Sequence, residues 1–154
     1  MHGSYTREEL LTAIGYASFE RRNCPAHAVA GVYRVDDRHL DALLVTTVKT
    51  DSGFSPTTMY RDYAISPTLF HWESQSTTRE ASATGQRYIN HASSGGSILL
   101  FAREYKVTEF GGGAPYVFLG SAEYVRHEGE RPMAITWRLG TAMPEGVFAW
   151  ARSV

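Results

Sequence analysis

The chain has 154 residues, 43% of them hydrophobic, which is enough for one domain with a buried core and short for two. No stretch approaches the ~18 consecutive apolar residues of a membrane-spanning helix, so we expect no membrane partner. Fifteen Lys and Arg against sixteen Asp and Glu give a net charge of −1, which excludes strong, sequence-blind affinity for DNA.

The single cysteine and the N-terminus add two expectations. Cys24 is the only cysteine and cannot form an internal disulfide, which suits a reducing compartment. The opening Met-His-Gly-Ser is typical of a vector-derived tag remnant rather than a signal peptide, because no apolar segment follows it. We therefore expect a cytoplasmic protein in which residues 1–4 are a tag remnant and residues 5–154 form a single domain.

A helix is predicted near the N-terminus. The segment Thr6-Arg7-Glu8-Glu9 has the spacing of a capping box, in which the first and last side chains satisfy each other's backbone amides. Leu10, Leu11 and Ile14 follow at helical spacing. These residues predict a helix over 7–19.

The rest of the chain reads as short strands separated by turn residues such as Asp36-Asp37 and Gly95-Gly96. The segment 41–48 is nearly continuously apolar and β-branched, which predicts a strand buried on both faces. The seven predicted strands cover residues 31–35, 41–48, 68–73, 97–105, 116–120, 122–127 and 133–139. Many short strands with one clear helix predict a mainly β (α+β) domain, built as a small, strongly bent sheet or a β-barrel.

The segment 51–73 is unusually rich in aromatic side chains interleaved with hydroxyl and charged groups. Such a set can hold a flat polar heterocycle, because rings stack on its faces and polar groups satisfy its edge. An extruded nucleobase is one such heterocycle. The base-binding candidates are Phe54, Ser55, Thr57, Tyr60, Asp62, Tyr63 and Trp72.

Some of these rings have a plainer interpretation as core residues. Phe70 and Trp72 lie two apart, as residues on one face of a strand do, and we expect Phe70 to be buried, whereas Trp72 fits either role. Asp62 is costly to bury unless it accepts a donor. An Arg61–Asp62 ion pair is the alternative, but sequence neighbours rarely face each other in an extended chain.

Polar side chains around this segment and in the next 20 residues are suited to phosphate contacts. A solvated loop is the alternative for them. Arg87 and Arg79 are the first candidates. The full set of candidates for contacts to the DNA backbone is Lys49, Arg61, Gln75, Thr77, Arg79, Arg87, Asn90 and His91.

Catalysis is not expected from this chain. The sequence lacks a His-Glu-x-x-His metal motif, a Gly-x-Ser-x-Gly nucleophile elbow and a phosphate-binding P-loop. We therefore expect a binding domain with no metal and no cofactor.

Several of these segments closely resemble the domain-of-unknown-function family 3427. The resemblance is carried by FSPTTMY (54–60), DYAISP (62–67), FHW (70–72) and GQRYINH (85–91), and it extends over nearly the whole chain. In that family the domain is typically the C-terminal module of bacterial proteins with a phospholipase-D-like nuclease and a superfamily 2 helicase. Some of them are similar to type IV restriction enzymes that cut DNA containing methylated cytosine.

The resemblance implies that the domain reads a modified base, as SRA and PUA-like β-barrels do by base flipping. Its expected partners are double-stranded DNA with modified cytosine and the helicase and nuclease domains of a parent protein, which supply translocation and cleavage. The domain alone would bind without cutting. The alternative is a docking module for the neighbouring helicase or nuclease, without base recognition.

Overall fold

The computed structural model describes residues 2–15, 31–48, 62–106 and 108–152. Strand β1 (Ser4–Tyr5) precedes helix α1 (Arg7–Ala13). The predicted capping box is confirmed: the Thr6 amide donates to Glu9 Oε1 at 3.0 Å, and the Glu9 amide donates to Thr6 Oγ1 at 3.2 Å. The helix ends before the predicted boundary, since Gly15 has a φ of +84°, a left-handed conformation that stops a helix.

Seven further strands make up an open, mixed sheet. They are β2 (Val32–Val35), β3 (Leu40–Thr46), β4 (Tyr63–Ser66), β5 (Leu69–Glu73), β6 (Ser97–Arg103), β7 (Tyr116–Glu128) and β8 (Ala134–Leu139). Their order is β2-β3-β6-β7-β8-β5-β4, with β1 on β7; only the β3–β6 pair is parallel. Within the described ranges the sheet does not close, so the barrel alternative is wrong and an open sheet is found.

Three features of the sheet differ from the prediction. The strands predicted at 116–120 and 122–127 are one strand, β7, because Gly120 adopts a φ of +96° beside a register shift and lets the strand continue. Strand β4 was not predicted. Strand β1 was not predicted either; its residue Ser4 pairs with Val117 of β7.

Two more helices, α2 (Ala83–Asn90) and α3 (Glu145–Ala151), were also not predicted. The α-helices of the described residues have seven or eight residues each. A membrane-spanning helix needs ~20, and none of these is long and apolar enough to span a membrane.

Hydrophobic side chains form one core on each face of the sheet. The larger core includes Trp72, Tyr88 and Trp137 and extends to α3, while the smaller core packs α1 against β2, β3 and β6. Strand β3 contributes to both, with Leu43 facing the larger core and Leu44 facing the smaller one. The prediction that this strand is buried on both faces is thereby confirmed.

Candidate nucleic-acid interface

Part of the predicted site lies outside the described residues. This applies to the base-binding candidates Phe54, Ser55, Thr57 and Tyr60 and to the backbone candidates Lys49 and Arg61. Of the remaining candidates, Tyr63 lies on the sheet surface, most others make contacts within the domain, and Thr77 and Arg79 are exposed.

Tyr63 lies in a cross-strand row with His71, Thr136 and Arg126. The register pairs Tyr63 with His71, His71 with Thr136, and Thr136 with Arg126, so these four residues cross β4, β5, β8 and β7 in one line. Directly paired residues place their side chains on the same face. The Tyr63 and His71 rings stack, with centroids 4.6 Å apart and an interplanar angle of 13°.

An open cleft of about 190 Å³ lies along this row. It offers stacking rings, a guanidinium, a carboxylate and a small apolar wall. Its lining residues are Tyr63, Ile65, His71, Arg126, His127, Glu128, Ala134 and Thr136. The chemistry of this set suits a small planar ligand with both donors and acceptors on its edge.

Of the row, only Tyr63 was predicted as a site residue. The signal that points to His71 is strand alternation, since Phe70 and Trp72 on either side of it are buried, with exposed fractions of 0% and 1%. Thr136 and Arg126 join the row through strand register alone. No local sequence pattern contains that information.

Asp62 sits next to the row, directly before Tyr63. The residue is 9% exposed, and its Oδ1 accepts a hydrogen bond from the Glu73 backbone amide at 3.0 Å. This bond offsets the cost of burying the carboxylate and ties the start of β4 to the end of β5. Asp62 therefore holds Tyr63 in position beside His71.

Trp72 lies in the larger core. Its ring packs edge-on against Tyr88 at 5.4 Å and tilted against Trp137 at 6.1 Å. The core interpretation of its neighbour Phe70 is confirmed. An indole with 1% exposure presents no face to a ligand. The stacked rings that line the cleft are instead those of Tyr63 and His71.

Arg87 is held by a buried carboxylate. Its Nε and one Nη donate to Asp41 Oδ2 and Oδ1, both at 2.9 Å, and Arg34 adds a third contact to Oδ2 at 3.0 Å. Burial lowers the pKa of Arg87, but the hydrogen bonds and charge of Asp41 more than offset this and raise it above its ordinary value. The guanidinium is thus a structural cation, and a phosphate would have to compete with Asp41 for it.

Three other candidates for contacts to the DNA backbone make contacts within the domain instead. His91 is 6% exposed; its Nε2 accepts from the Tyr124 amide at 3.2 Å, which places the ring proton on Nδ1, 3.4 Å from the Gly96 carbonyl. Gln75 Oε1 accepts from the Tyr88 hydroxyl at 3.0 Å, and Asn90 donates to a neighbouring amide on α2. Thr77 and Arg79 are exposed, so they remain predicted contacts to the DNA backbone.

The structure defines a mainly β domain with an open mixed sheet. The sheet face opposite the larger core carries the cross-strand row, with its stacked Tyr63–His71 pair, beside a small polar cleft. Comparison with family models places the chain: the model for "Domain of unknown function (DUF3427)" matches residues 1–150. The chain therefore belongs to this family. No curated protein matches it.

Proposed function

We propose that this domain binds DNA containing a modified cytosine and receives one extruded base in the cleft along the cross-strand row. In this proposal it is the target-recognition module of a type IV, modification-dependent restriction protein, and the helicase and nuclease domains of that protein act on the bound DNA. The observation that carries the proposal is the stacked Tyr63–His71 pair, which is aligned with Thr136 and Arg126 and adjoins Asp62.

The energetics of base extrusion are compatible with such a site. Extruding a base costs a few kcal/mol, and stacking on an aromatic ring returns about 1–3 kcal/mol per base. Contacts to the edge of the base must supply the rest. Because the chain has a net charge of −1, the base contacts carry a larger share of the affinity here than in a basic protein.

The cleft matches a cytosine in size and in polar groups. Its volume of about 190 Å³ is below the ~300–1,000 Å³ of pockets for drug-sized ligands, which favours a single-ring pyrimidine. Glu128 can accept from the exocyclic amine of cytosine, and Arg126 can donate to its ring acceptors. Ile65 and Ala134 provide an apolar wall for a methyl substituent.

The proposal includes a functional likeness to SRA and PUA-like domains. We propose that this domain, like those domains, holds an extruded base against a β-sheet. The absence of the Gly-x-Ser-x-Gly, His-Glu-x-x-His and P-loop motifs from the sequence supports a module that binds without cutting.

Fluorescence anisotropy with two matched duplexes, one unmodified and one carrying 5-methylcytosine, tests this function. We expect tighter binding of the methylated duplex. Tyr63→Ala should reduce the preference to near unity, whereas Tyr63→Phe, which keeps the ring, should retain it. Phe110→Ala serves as a control because this ring is 91% exposed and lies outside the cleft.

Each other outcome has a definite meaning. Equal binding of both duplexes by the wild-type domain would remove the base-reading function. Absence of binding to either duplex would favour the docking alternative. A preference that survives Tyr63→Ala would place the base elsewhere on the domain.

A further inference from the structure

A second cleft, here called the cationic cleft, lies between α1 and the strands β2, β3, β6 and β7. It has a volume of about 480 Å³ and is lined by three cations, Arg7, Arg103 and Lys106, and by two tyrosines, Tyr33 and Tyr116. We propose that the cationic cleft binds phosphate groups, and that their source is the backbone of the DNA whose base enters the other cleft. The choice of source rests on the function proposed above.

Arg103 is fixed in position for this role. Its Nε donates to Thr46 Oγ1 at 2.9 Å, its Nη1 donates to the Ala114 carbonyl at 3.1 Å, and its guanidinium lies over the Tyr116 ring at 4.3 Å. All three contacts are to neutral groups, so the positive charge is not cancelled. A guanidinium held in a fixed geometry loses little entropy when it meets a phosphate.

The other two cations are exposed at the rim. Arg7 lies over the Tyr33 ring at 6.0 Å. Among the described residues, none of the three cations has an ion pair with a carboxylate. Glu8 is the only acidic residue among the described lining residues, so the cleft has an excess of positive charge in a chain that is close to neutral.

The tyrosine under Arg103 does not offset that charge. Burial raises the pKa of Tyr116, against the opposing effects of Arg103 and of a hydrogen bond with Thr46. The phenol therefore stays neutral near pH 7. An anionic ligand with several oxygens, as in a phosphodiester, matches two guanidinium groups and an ammonium better than a neutral ligand does.

The two clefts share one face of the sheet. The cationic cleft lies on the face of the smaller core, to which Tyr33, Leu44 and Tyr116 belong. His71 and Thr136 point to the same face, because the residues on either side of each of them in its strand belong to the larger core. The segment 49–61 also connects the two clefts in sequence, because it follows β3 and leads into Asp62. One duplex lying along this face could present a phosphate to one cleft and a base to the other.

The salt dependence of DNA binding tests the proposal. The double variant Arg7→Gln/Lys106→Gln removes both rim cations, and Arg38→Gln/Arg152→Gln is the control, because it removes the same charge at exposed residues outside the cleft. We expect the first variant to weaken binding of methylated and unmodified duplexes by the same factor, on the order of tenfold or more. Its slope of log affinity against log salt should fall by about two. The control should change the slope by less than half as much.

This readout separates the two proposals. An unchanged slope in the cleft variant would overturn the phosphate site even if the methylated duplex is preferred. A reduced slope without any methyl preference would support the phosphate site and refute base reading.

If neither duplex binds, inorganic phosphate serves as the probe for binding at the cationic cleft. We then expect titration with phosphate, at constant ionic strength, to shift the NMR signal of the Arg103 Nε–H in the wild type and not in the cleft variant. Such a shift would support a site for a small phosphorylated ligand. Its absence would overturn the proposal.

Discussion

Removing Arg87 should destabilise the domain rather than only weaken DNA binding. The carboxylate of Asp41 is 1% exposed, and Arg87 supplies two of its three hydrogen bonds from Arg side chains. In Arg87→Ala, the contact from Arg34 is the one that the described side chains still make with the buried carboxylate. It therefore loses one of the two guanidinium groups, and two of the three hydrogen bonds from them, that compensate for its burial.

The expected loss can be bounded from the geometry. Breaking a buried ion pair by removing one partner costs about 3–5 kcal/mol. The Arg87 side chain is 30% exposed and Arg34 remains, so we expect the lower end, about 3 kcal/mol. For a domain of this size that corresponds to a fall in Tm of roughly 6–12 °C.

Urea unfolding of Arg87→Ala and Arg79→Ala measures this effect. Arg79 is exposed, so its replacement should change the free energy of unfolding by no more than about 0.5 kcal/mol. The double variant Asp41→Asn/Arg87→Ala should lose less stability than the sum of its single variants, because the two side chains interact. An Arg87→Ala domain as stable as Arg79→Ala would refute the assignment of Arg87 as a structural cation.

Three further predictions concern the fold. Thr6→Ala removes the helix cap and should lower the free energy of unfolding by about 1 kcal/mol in urea, while Thr6→Ser should not. Gly85→Ala should lower Tm, because a Cβ there would come within 2.1 Å of the Arg79 carbonyl; an unchanged Tm would contradict this packing. Burial raises the pKa of Tyr88 to about 12, so its contribution to stability should be complete below about pH 10 and disappear as the pH rises toward 12. Tyr88→Phe should unfold with a weaker pH dependence over that range, as followed by near-ultraviolet circular dichroism.

Elements with strong local signals could be predicted from the sequence. The Thr6 capping box and the apolar run of β3 are determined by contiguous residues, and both were found where expected. Helix α2 was missed because its sequence is polar and contains Gly85, and it forms through the Ser82 cap and the burial of Tyr88. Strand β4 is four residues long, and Pro67 directly after it favours a loop prediction.

The candidate site was predictable only in part, because some of its residues come together through strand pairing and not through neighbouring sequence. Tyr63 and Asp62 stand out by composition, but Thr136 and Arg126 enter the site through the pairing of β8 with β5 and β7. Arg87 was expected at phosphate because it lies in a polar segment whose hydroxyl, amide and guanidinium groups suit phosphate contacts. Its actual partner, Asp41, is 46 residues away in sequence and could not be inferred from neighbouring residues.

The position of the modified base in a complex tests base recognition most directly. A crystal structure of the domain with a duplex carrying one 5-methylcytosine should show that base outside the helix, stacked at Tyr63 and His71, with its edge toward Arg126 and Glu128. A 5-methylcytosine that remains paired within the duplex, or that occupies a different surface, would contradict the proposed function.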